Sequence, residues 1–161
     1  MVKIALKIRA NLENIQELRP CGADFRWCLK FTCSNCGEKS DKWNYISLSD
    51  EITADHGRDV INFSCKCKLC SRVNTMTIMG DSLGFYDVDD QGKLKKIVIF
   101  DCRGLEPSDF SPREGWIAKA IDDGKEFRDV DLSEGEWADY CDKIKQPVGI
   151  YDIEHNFERI K

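Results

Sequence analysis

Two Cys-x-x-Cys pairs constrain this chain more than any other feature of its sequence. The first pair is Cys33 and Cys36, and the second is Cys67 and Cys70, with residues 37–66 between them. Four thiolates at this spacing fit a closed tetrahedral site for one Zn²⁺ per chain, which leaves no open position for a substrate. Gly37 directly follows the first pair, where a metal-binding knuckle often needs a positive φ. The spacing therefore predicts a structural zinc site with all four cysteines as ligands.

The size and composition of the chain indicate one folded domain. The chain has 161 residues, of which 42% are hydrophobic, as is usual for a globular protein. No run approaches the roughly 20 apolar residues that cross a bilayer, and charges interrupt the apolar residues at the N-terminus, so a signal peptide is not expected. We predict a cytoplasmic or nuclear protein. In that reducing compartment, nine cysteines are better explained by metal binding and free thiols than by disulfides.

The charge of the chain is distributed unevenly. The net charge is −5, with 15 basic and 13 acidic residues in 1–100 but 9 basic and 16 acidic residues in 101–161. An acid excess repels a phosphate backbone, so nucleic acid is not an expected partner. Basic residues nevertheless surround the cysteine pairs, where they offset the charge of a zinc–thiolate centre: Lys30, Lys39, Lys42, Lys66, Lys68 and Arg72.

Apolar residues alternate with polar ones along most of the chain. This period of two is typical of half-buried strands, and residues 97–100 are apolar on both faces, as in a central strand. We predict an all-β fold of mixed small sheets or a partial barrel, with an inserted zinc-ribbon-like site of four cysteines and little helix. The segments that carry the pattern are 3–10, 25–33, 61–67, 97–100 and 151–157.

Three segments depart from this pattern. Residues 11–19 fit a helical turn that Pro20 ends, and 133–140 begins like a capping box with Ser133 and Glu136. Residues 50–59 are polar and predict an exposed connection, whereas 115–132 predicts a hairpin.

A short internal similarity predicts two related halves. The sequence from Lys3 to Leu6 aligns with that from Lys96 to Ile99, and Leu12-Glu13 aligns with Leu105-Glu106 at the same offset. We predict a single domain over 1–161, with a zinc-bearing half at 1–80 and a second half at 93–161. The acidic, turn-rich segment 81–92 joins them.

Several short motifs together resemble one known family, and they cover essentially the whole chain. They are Asp-Phe-Arg-Trp at 24–27, Ser-Asp-Lys-Trp at 40–43, Cys-Lys-Leu-Cys at 67–70, Arg-Gly-Leu-Glu-Pro at 103–107 and Val-Gly-Ile-Tyr at 148–151. The chain resembles the eukaryotic CXXC-motif-containing zinc-binding proteins, a family without an assigned activity. The resemblance implies a mostly β fold of two related halves, with one zinc on the four cysteines named above. It also matches Cys102 to a further cysteine common in that family.

The remaining cysteines leave alternatives open. Cys65 lies two residues before Cys67, so it is either a core thiol or a fifth soft ligand that helps to transfer copper(I) or zinc. The enzymatic alternatives are a thiol oxidoreductase and a zinc hydrolase or other enzyme with an unrecognised site. Redox pairs, however, usually sit at a helix N-terminus, and these do not. No residue is assigned a catalytic role. The preferred hypothesis is a non-enzymatic, monomeric, zinc-stabilised module for contacts with proteins not yet identified, acting in intracellular metal homeostasis.

The stretch from Cys102 to Pro107 is the strongest candidate for a second feature. It follows the predicted central strand, and Gly104 and Pro107 favour a sharp turn. We expect an ion pair between Arg103 and Glu106 to hold this turn, with Cys102 buried and unreactive.

Overall fold

The computed structural model describes residues 2–53 and 60–160. Within these ranges, almost every regular element is a β-strand, and two 3₁₀ turns lie at Gly80–Ser82 and Val88–Asp90. No helix in the described part of the chain is long and apolar enough to span a membrane. The strands are β1 (Val2–Glu13), β2 (Ile15–Pro20), β3 (Trp27–Cys33), β4 (Asn44–Ile46), β5 (Ile52–Thr53), β6 (Val60–Ile61), β7 (Phe63–Lys66), β8 (Val73–Ile78), β9 (Tyr86–Asp87), β10 (Lys95–Arg103), β11 (Leu105–Ser111), β12 (Trp116–Ala120), β13 (Glu126–Val130), β14 (Trp137–Cys141) and β15 (Gln146–Ile160).

The strands form one large sheet and three small ones. The six-stranded sheet has the order β14-β15-β1-β10-β8-β7 and curves into a half-barrel. The small sheets have the orders β11-β3-β4, β13-β12-β2-β9 and β5-β6. The predicted all-β fold of mixed small sheets is therefore confirmed. The sheet β11-β3-β4 carries the first cysteine pair, and the edge of the large sheet carries the second.

The strand order repeats between the two halves of the chain. Exchanging β1 with β10, β7 with β14 and β8 with β15 reverses the order of the large sheet and so preserves every strand pairing in it. Exchanging β2 with β11, β3 with β12 and β4 with β13 likewise relates β11-β3-β4 to the strands β2-β12-β13 of the four-stranded sheet. An offset of 93 residues also interchanges two neighbouring pairs of β1 and β10, which are Leu6 with Val98 and Ala5 with Ile99. This repeated strand order fits two related halves, which are intertwined because β1 and β10 pair with each other.

Aromatic side chains from both halves fill the centre of the molecule. Trp27 and Trp116 are both buried, and Phe25 packs edge-on against each of them, with ring centroids 4.5 and 4.8 Å apart. Residues 97–100 of β10 are also buried, as their apolar sequence predicted. Burying rings of this size is the main stabilising contribution available to a sheet protein.

The two predicted helical turns are wrong. Residues 11–13 belong to β1, and Asn14, at φ 52°, marks a bend into β2, which pairs with β12. In 133–140, Ser133 hydrogen-bonds to Asp131, and the chain then enters β14. In both places, pairing with a strand distant in sequence outweighs a weak local helical preference. The hairpin predicted within 115–132 is present as β12–β13, whereas residues 54–59 of the predicted connection lie outside the described residues.

The expected ion pair between Arg103 and Glu106 is also wrong. Glu106 pairs instead with Arg159 on β15. Because Glu106 is on β11, this contact ties a small sheet to the large one. The turn itself is as predicted: Gly104, at φ +81°, connects β10 to β11. Asn74 of β8, which is only 2% exposed, packs directly against Gly104.

We expect Gly104→Ala to destabilise the protein more than Gly92→Ala does. Both glycines have nearly the same positive φ, +81° and +82°. A Cβ at Gly104 would clash with Asn74 Oδ1, whereas no atom of the described residues lies within 4 Å of a Cβ at Gly92. Gly92→Ala should lower the free energy of unfolding by about 1 kcal/mol through backbone strain alone. Gly104→Ala should lower it by about 2–4 kcal/mol because the clash adds to that strain. Denaturant unfolding of the zinc-loaded proteins measures both, and equal losses would contradict the close packing described here.

Candidate metal centre

The two cysteine pairs lie in turns of the same geometry. In the first, the backbone N–H of Cys33 donates to Glu38 O at 2.8 Å, and Gly37 N–H donates to Cys33 O at 2.8 Å. In the second, Cys67 N–H donates to Arg72 O and Ser71 N–H donates to Cys67 O, both at 2.9 Å. Gly37 and Ser71 both have positive φ, 79° and 64°. We call these turns, residues 33–38 and 67–72, the first and second knuckles.

The structure brings the four predicted ligands together. The sulfur atoms of Cys33, Cys36, Cys67 and Cys70 all lie within 4.8 Å of one another. The Cys33–Cys70 and Cys36–Cys67 sulfur separations, each across the two knuckles, are 3.8 and 3.6 Å. Tetrahedral zinc with Zn–S bonds of about 2.3 Å requires sulfur atoms about 3.8 Å apart. The four side chains therefore fit the geometry and the soft donor set that zinc prefers.

The ionisation of these thiols depends on their mutual proximity. The backbone N–H of Cys36 and the side-chain amide of Asn74 lower the pKa of Cys33 to about 6. A hydrogen bond from the Glu38 backbone also favours the Cys36 thiolate, but burial and the three neighbouring cysteines outweigh it and raise the pKa of Cys36 to about 12. Four thiolates cannot ionise this close together without a cation to neutralise their repulsion. A divalent soft metal would supply that charge.

Three polar residues hold the knuckles in place. Sequence reasoning noted Arg72 only for its charge and missed Asn35 and Asn74. Asn74 donates from Nδ2 to Cys33 Sγ at 3.5 Å. Arg72 of the second knuckle donates to Asn35 Oδ1 of the first at 3.3 Å, and the Asn35 side chain in turn hydrogen-bonds to Cys70, which lowers its pKa. The one available signal was at Asn74, a polar residue that shares the inward face of β8 with Met76 and Ile78.

The turn between β10 and β11 supports the first knuckle. Ser34 N–H donates to Gly104 O at 2.9 Å, and Cys33 pairs with Leu105 in the ladder between β3 and β11. The Arg-Gly-Leu-Glu-Pro stretch is thus a structural support beside the metal centre, in agreement with its interpretation as a turn.

The two other cysteines singled out from the sequence have different surroundings. Cys102 is buried, and its pKa is raised to about 12 by burial, with Asp101 and Glu106 adding to the effect. Cys65 is half-buried and is not among the four clustered sulfurs, and burial followed by Cys67 and Cys33 raises its pKa. Cys65 instead lines a cavity of about 260 Å³ that also reaches Cys33 and Cys67.

The second half of the chain has turns of the same plan without the cysteine pairs. Ala120 N–H donates to Lys125 O across five residues, as Cys33 does to Glu38. Cys141 pairs with Gln146 at the same separation as Cys67 and Arg72, and Lys145 has φ 55° where Ser71 has 64°. The second half therefore presents a different set at the positions of the four clustered cysteines: Ala120, Asp123, Cys141 and Ile144. Only one of these is a thiol, so the metal centre is specific to the first half.

Comparisons with known proteins agree with this description. Residues 5–158 match the sequence model of the eukaryotic CXXC motif containing zinc binding proteins. Proteins of that name from Xenopus laevis and Homo sapiens are each 48% identical to this chain, with coverage of 99% and 98% of both chains, respectively.

Solved structures share the fold over the same extent. The structure of C1orf123 is 47% identical, covers 98% of this chain and 99% of its own, and has a TM-score of 0.94. A hypothetical protein from Plasmodium falciparum is 26% identical, covers 98% of this chain and 100% of its own, and has a TM-score of 0.88. Together with the cluster of four cysteines, these matches place the chain in the family of eukaryotic CXXC motif containing zinc binding proteins.

Proposed function

We propose that this protein is a non-enzymatic module for protein–protein contacts, stabilised by one structural Zn²⁺ on Cys33, Cys36, Cys67 and Cys70. The observation that carries the proposal is the closed four-sulfur cluster, which joins two hairpins from different sheets. A zinc ion with four thiolate ligands has no position left for water or substrate, so it acts through the fold. Structural zinc stabilises small folds by roughly 10–16 kcal/mol, enough to determine whether these hairpins are ordered.

The second knuckle offers a surface for such contacts. Leu69 at its tip is 67% exposed, and Val73 just after it is 58% exposed. Lys66, Lys68 and Arg72 are exposed beside them. An apolar tip surrounded by positive charge is complementary to a protein surface with an apolar pocket and an acidic rim.

The other properties of the proposal follow from charge and compartment. Reducing conditions keep the thiols available for metal, so we place the protein in the cytoplasm and also the nucleus. We propose that it acts as a monomer in metal homeostasis. Its net charge of −5 disfavours nucleic acid as a partner. The high pKa of buried Cys102 disfavours a thiol oxidoreductase centred there.

A thiolate-based copper or zinc carrier is the second candidate. The observation that favours it is the shared cavity, because the Cys65 thiol faces the same space as Cys33 and Cys67. A fifth thiol there could accept a soft metal ion from the cluster. A carrier must release its metal while the fold stays intact, whereas a structural centre cannot.

Substituting Ser for Cys67 should remove the metal, whereas Cys65→Ser should leave it bound. Cys67 belongs to the four-sulfur cluster, and the nearby Cys65 does not, so the pair is a matched control. We expect about one zinc per chain in wild type and Cys65→Ser, and loss of zinc together with thermal stability in Cys67→Ser. Elemental analysis and thermal melting of the purified proteins measure both. Zinc retained by Cys67→Ser but lost from Cys65→Ser would show that the ligand assignment is incorrect.

The double variant Leu69→Ser with Val73→Ser should lose partner binding without losing zinc. Removing both exposed apolar side chains should weaken a contact at the knuckle by more than tenfold, since each side chain contributes roughly 1.5–3 kcal/mol when buried. Val88→Ser with Leu94→Ser is the control, because both side chains are 40% exposed at sites away from the knuckles. Partners recovered by zinc-loaded wild type and quantified by mass spectrometry provide the measurement. Identical partner sets for wild type and the knuckle variant would contradict the proposed surface.

A further inference from the structure

A cavity of about 260 Å³ separates the hairpin of the first knuckle from strand β7. One wall comes from residues 38–42 and Asn44, and the other comes from Phe63, Cys65 and the start of the second knuckle. A water molecule occupies about 30 Å³ in the liquid, so the space is much larger than one or two waters need. It lies just below the usual range of about 300–1,000 Å³ for small-molecule sites. Its size therefore suits a small organic molecule.

The inner part of the cavity is apolar. Phe31 and Phe63 lie against each other with ring centroids 4.9 Å apart and ring planes inclined by 26°. Leu105, which is buried behind Cys33 in the ladder, completes this floor. Apolar surface at the bottom of an open cavity favours the removal of water by a hydrocarbon or aromatic group.

The outer part of the cavity carries an excess of positive charge. Its lining includes four lysines and two acids. In the described part of the chain, no salt bridge involves any of these six side chains: Glu38, Lys39, Asp41, Lys42, Lys66 and Lys68. The lysine ammonium groups are therefore available to an anion, with a local excess of two positive charges.

The neighbouring thiolates do not change the expected charge of the ligand, which remains negative. A zinc centre with four thiolates carries a formal charge of −2. Backbone N–H groups and the Asn74 amide hydrogen-bond to those sulfurs and spread their charge. Cys33 and Cys67 are buried, whereas all four lysines that line the cavity are exposed to solvent. A cation would have to pass the lysines, and an anionic group can stay among them.

We propose that this cavity binds a small organic anion with an apolar body, of the medium-chain carboxylate class. The apolar chain lies on Phe31, Phe63 and Leu105, and the carboxylate remains at the mouth among the lysines. The site uses no metal-ligand chemistry. It shares Lys66 and Lys68 with the proposed protein contacts around Leu69, whereas Lys39 and Lys42 belong to the cavity alone.

Octanoate tests this proposal on the zinc-loaded full chain. We expect a Kd of about 0.1–1 mM, as suits a ligand of this size. Amide shifts in NMR titrations should concentrate at residues 38–44 and 63–68. Octanoate should also slow alkylation of Cys65, mapped by mass spectrometry. Exposed Cys21, which does not line the cavity, is the internal control and should react at an unchanged rate.

Reversing the charge of two cavity lysines tests whether the carboxylate is recognised or whether octanoate binds only through apolar contact. Lys39→Glu with Lys42→Glu should weaken octanoate binding by about tenfold or more, because two charge-assisted contacts are lost. Lys96→Glu with Lys119→Glu makes the same change in net charge at exposed positions outside the cavity, and it should bind as wild type does. Zinc content, measured for each variant, distinguishes loss of the site from loss of the fold.

Three results would overturn the proposal. The first is equal binding of octyltrimethylammonium, which has the same chain with the opposite charge. The second is octanoate at 10 mM, roughly ten times the weakest expected Kd, with no effect on Cys65 alkylation. The third is an acidic peptide that protects Cys65 when octanoate does not, which would make the cavity a peptide groove instead.

Discussion

The contact between four cysteine sulfurs from two hairpins is the interaction on which the first half of this fold depends. The first hairpin extends from β3, in a three-stranded sheet, and the second is formed by β7 and β8, at the edge of the half-barrel. Sheets from different layers usually associate through apolar faces about 10 Å apart. Here the exposed ends of two hairpins meet where little apolar surface is available, apart from the Phe31–Phe63 contact. A zinc ion held by the four sulfurs would supply the attraction that side-chain burial cannot.

The second half of the chain shows what the same architecture does without the cluster. Its two equivalent turns carry Ala120, Asp123, Cys141 and Ile144 at the matching positions. Phe127 and Trp137 pack between the corresponding hairpins, with ring centroids 5.2 Å apart, and Lys143 Nζ donates to the Asp123 carbonyl across the two turns. Apolar packing and a hydrogen bond therefore join the hairpins whose counterparts in the first half carry the four-cysteine cluster. The two halves therefore differ in what brings their equivalent hairpins together.

Much of the site, and less of the detailed fold, could be predicted from the sequence. Two Cys-x-x-Cys pairs at strand ends define a cluster because thiolates have few other structural roles at that spacing. Alternating apolar residues predicted the strands. Six aligned positions, 3–6 with 96–99 and 12–13 with 105–106, were enough to find the offset that relates β1 to β10. The segments 11–19 and 133–140 were predicted incorrectly because their strand partners are distant in sequence. Asn35 and Asn74 were missed because an asparagine that hydrogen-bonds to sulfur has no characteristic sequence pattern.

Amide hydrogen exchange before and after removal of zinc, under reducing conditions at neutral pH, tests the structural role of the metal most directly. We expect the amides of β3, β7 and β8 to lose protection by at least about a hundredfold, because the loss of structural zinc removes several kcal/mol of local stability. The equivalent strands β12, β14 and β15 should keep most of their protection, since their hairpins are joined without metal. Unchanged protection throughout both halves would contradict a structural role for zinc, because the fold would then stay intact without the metal.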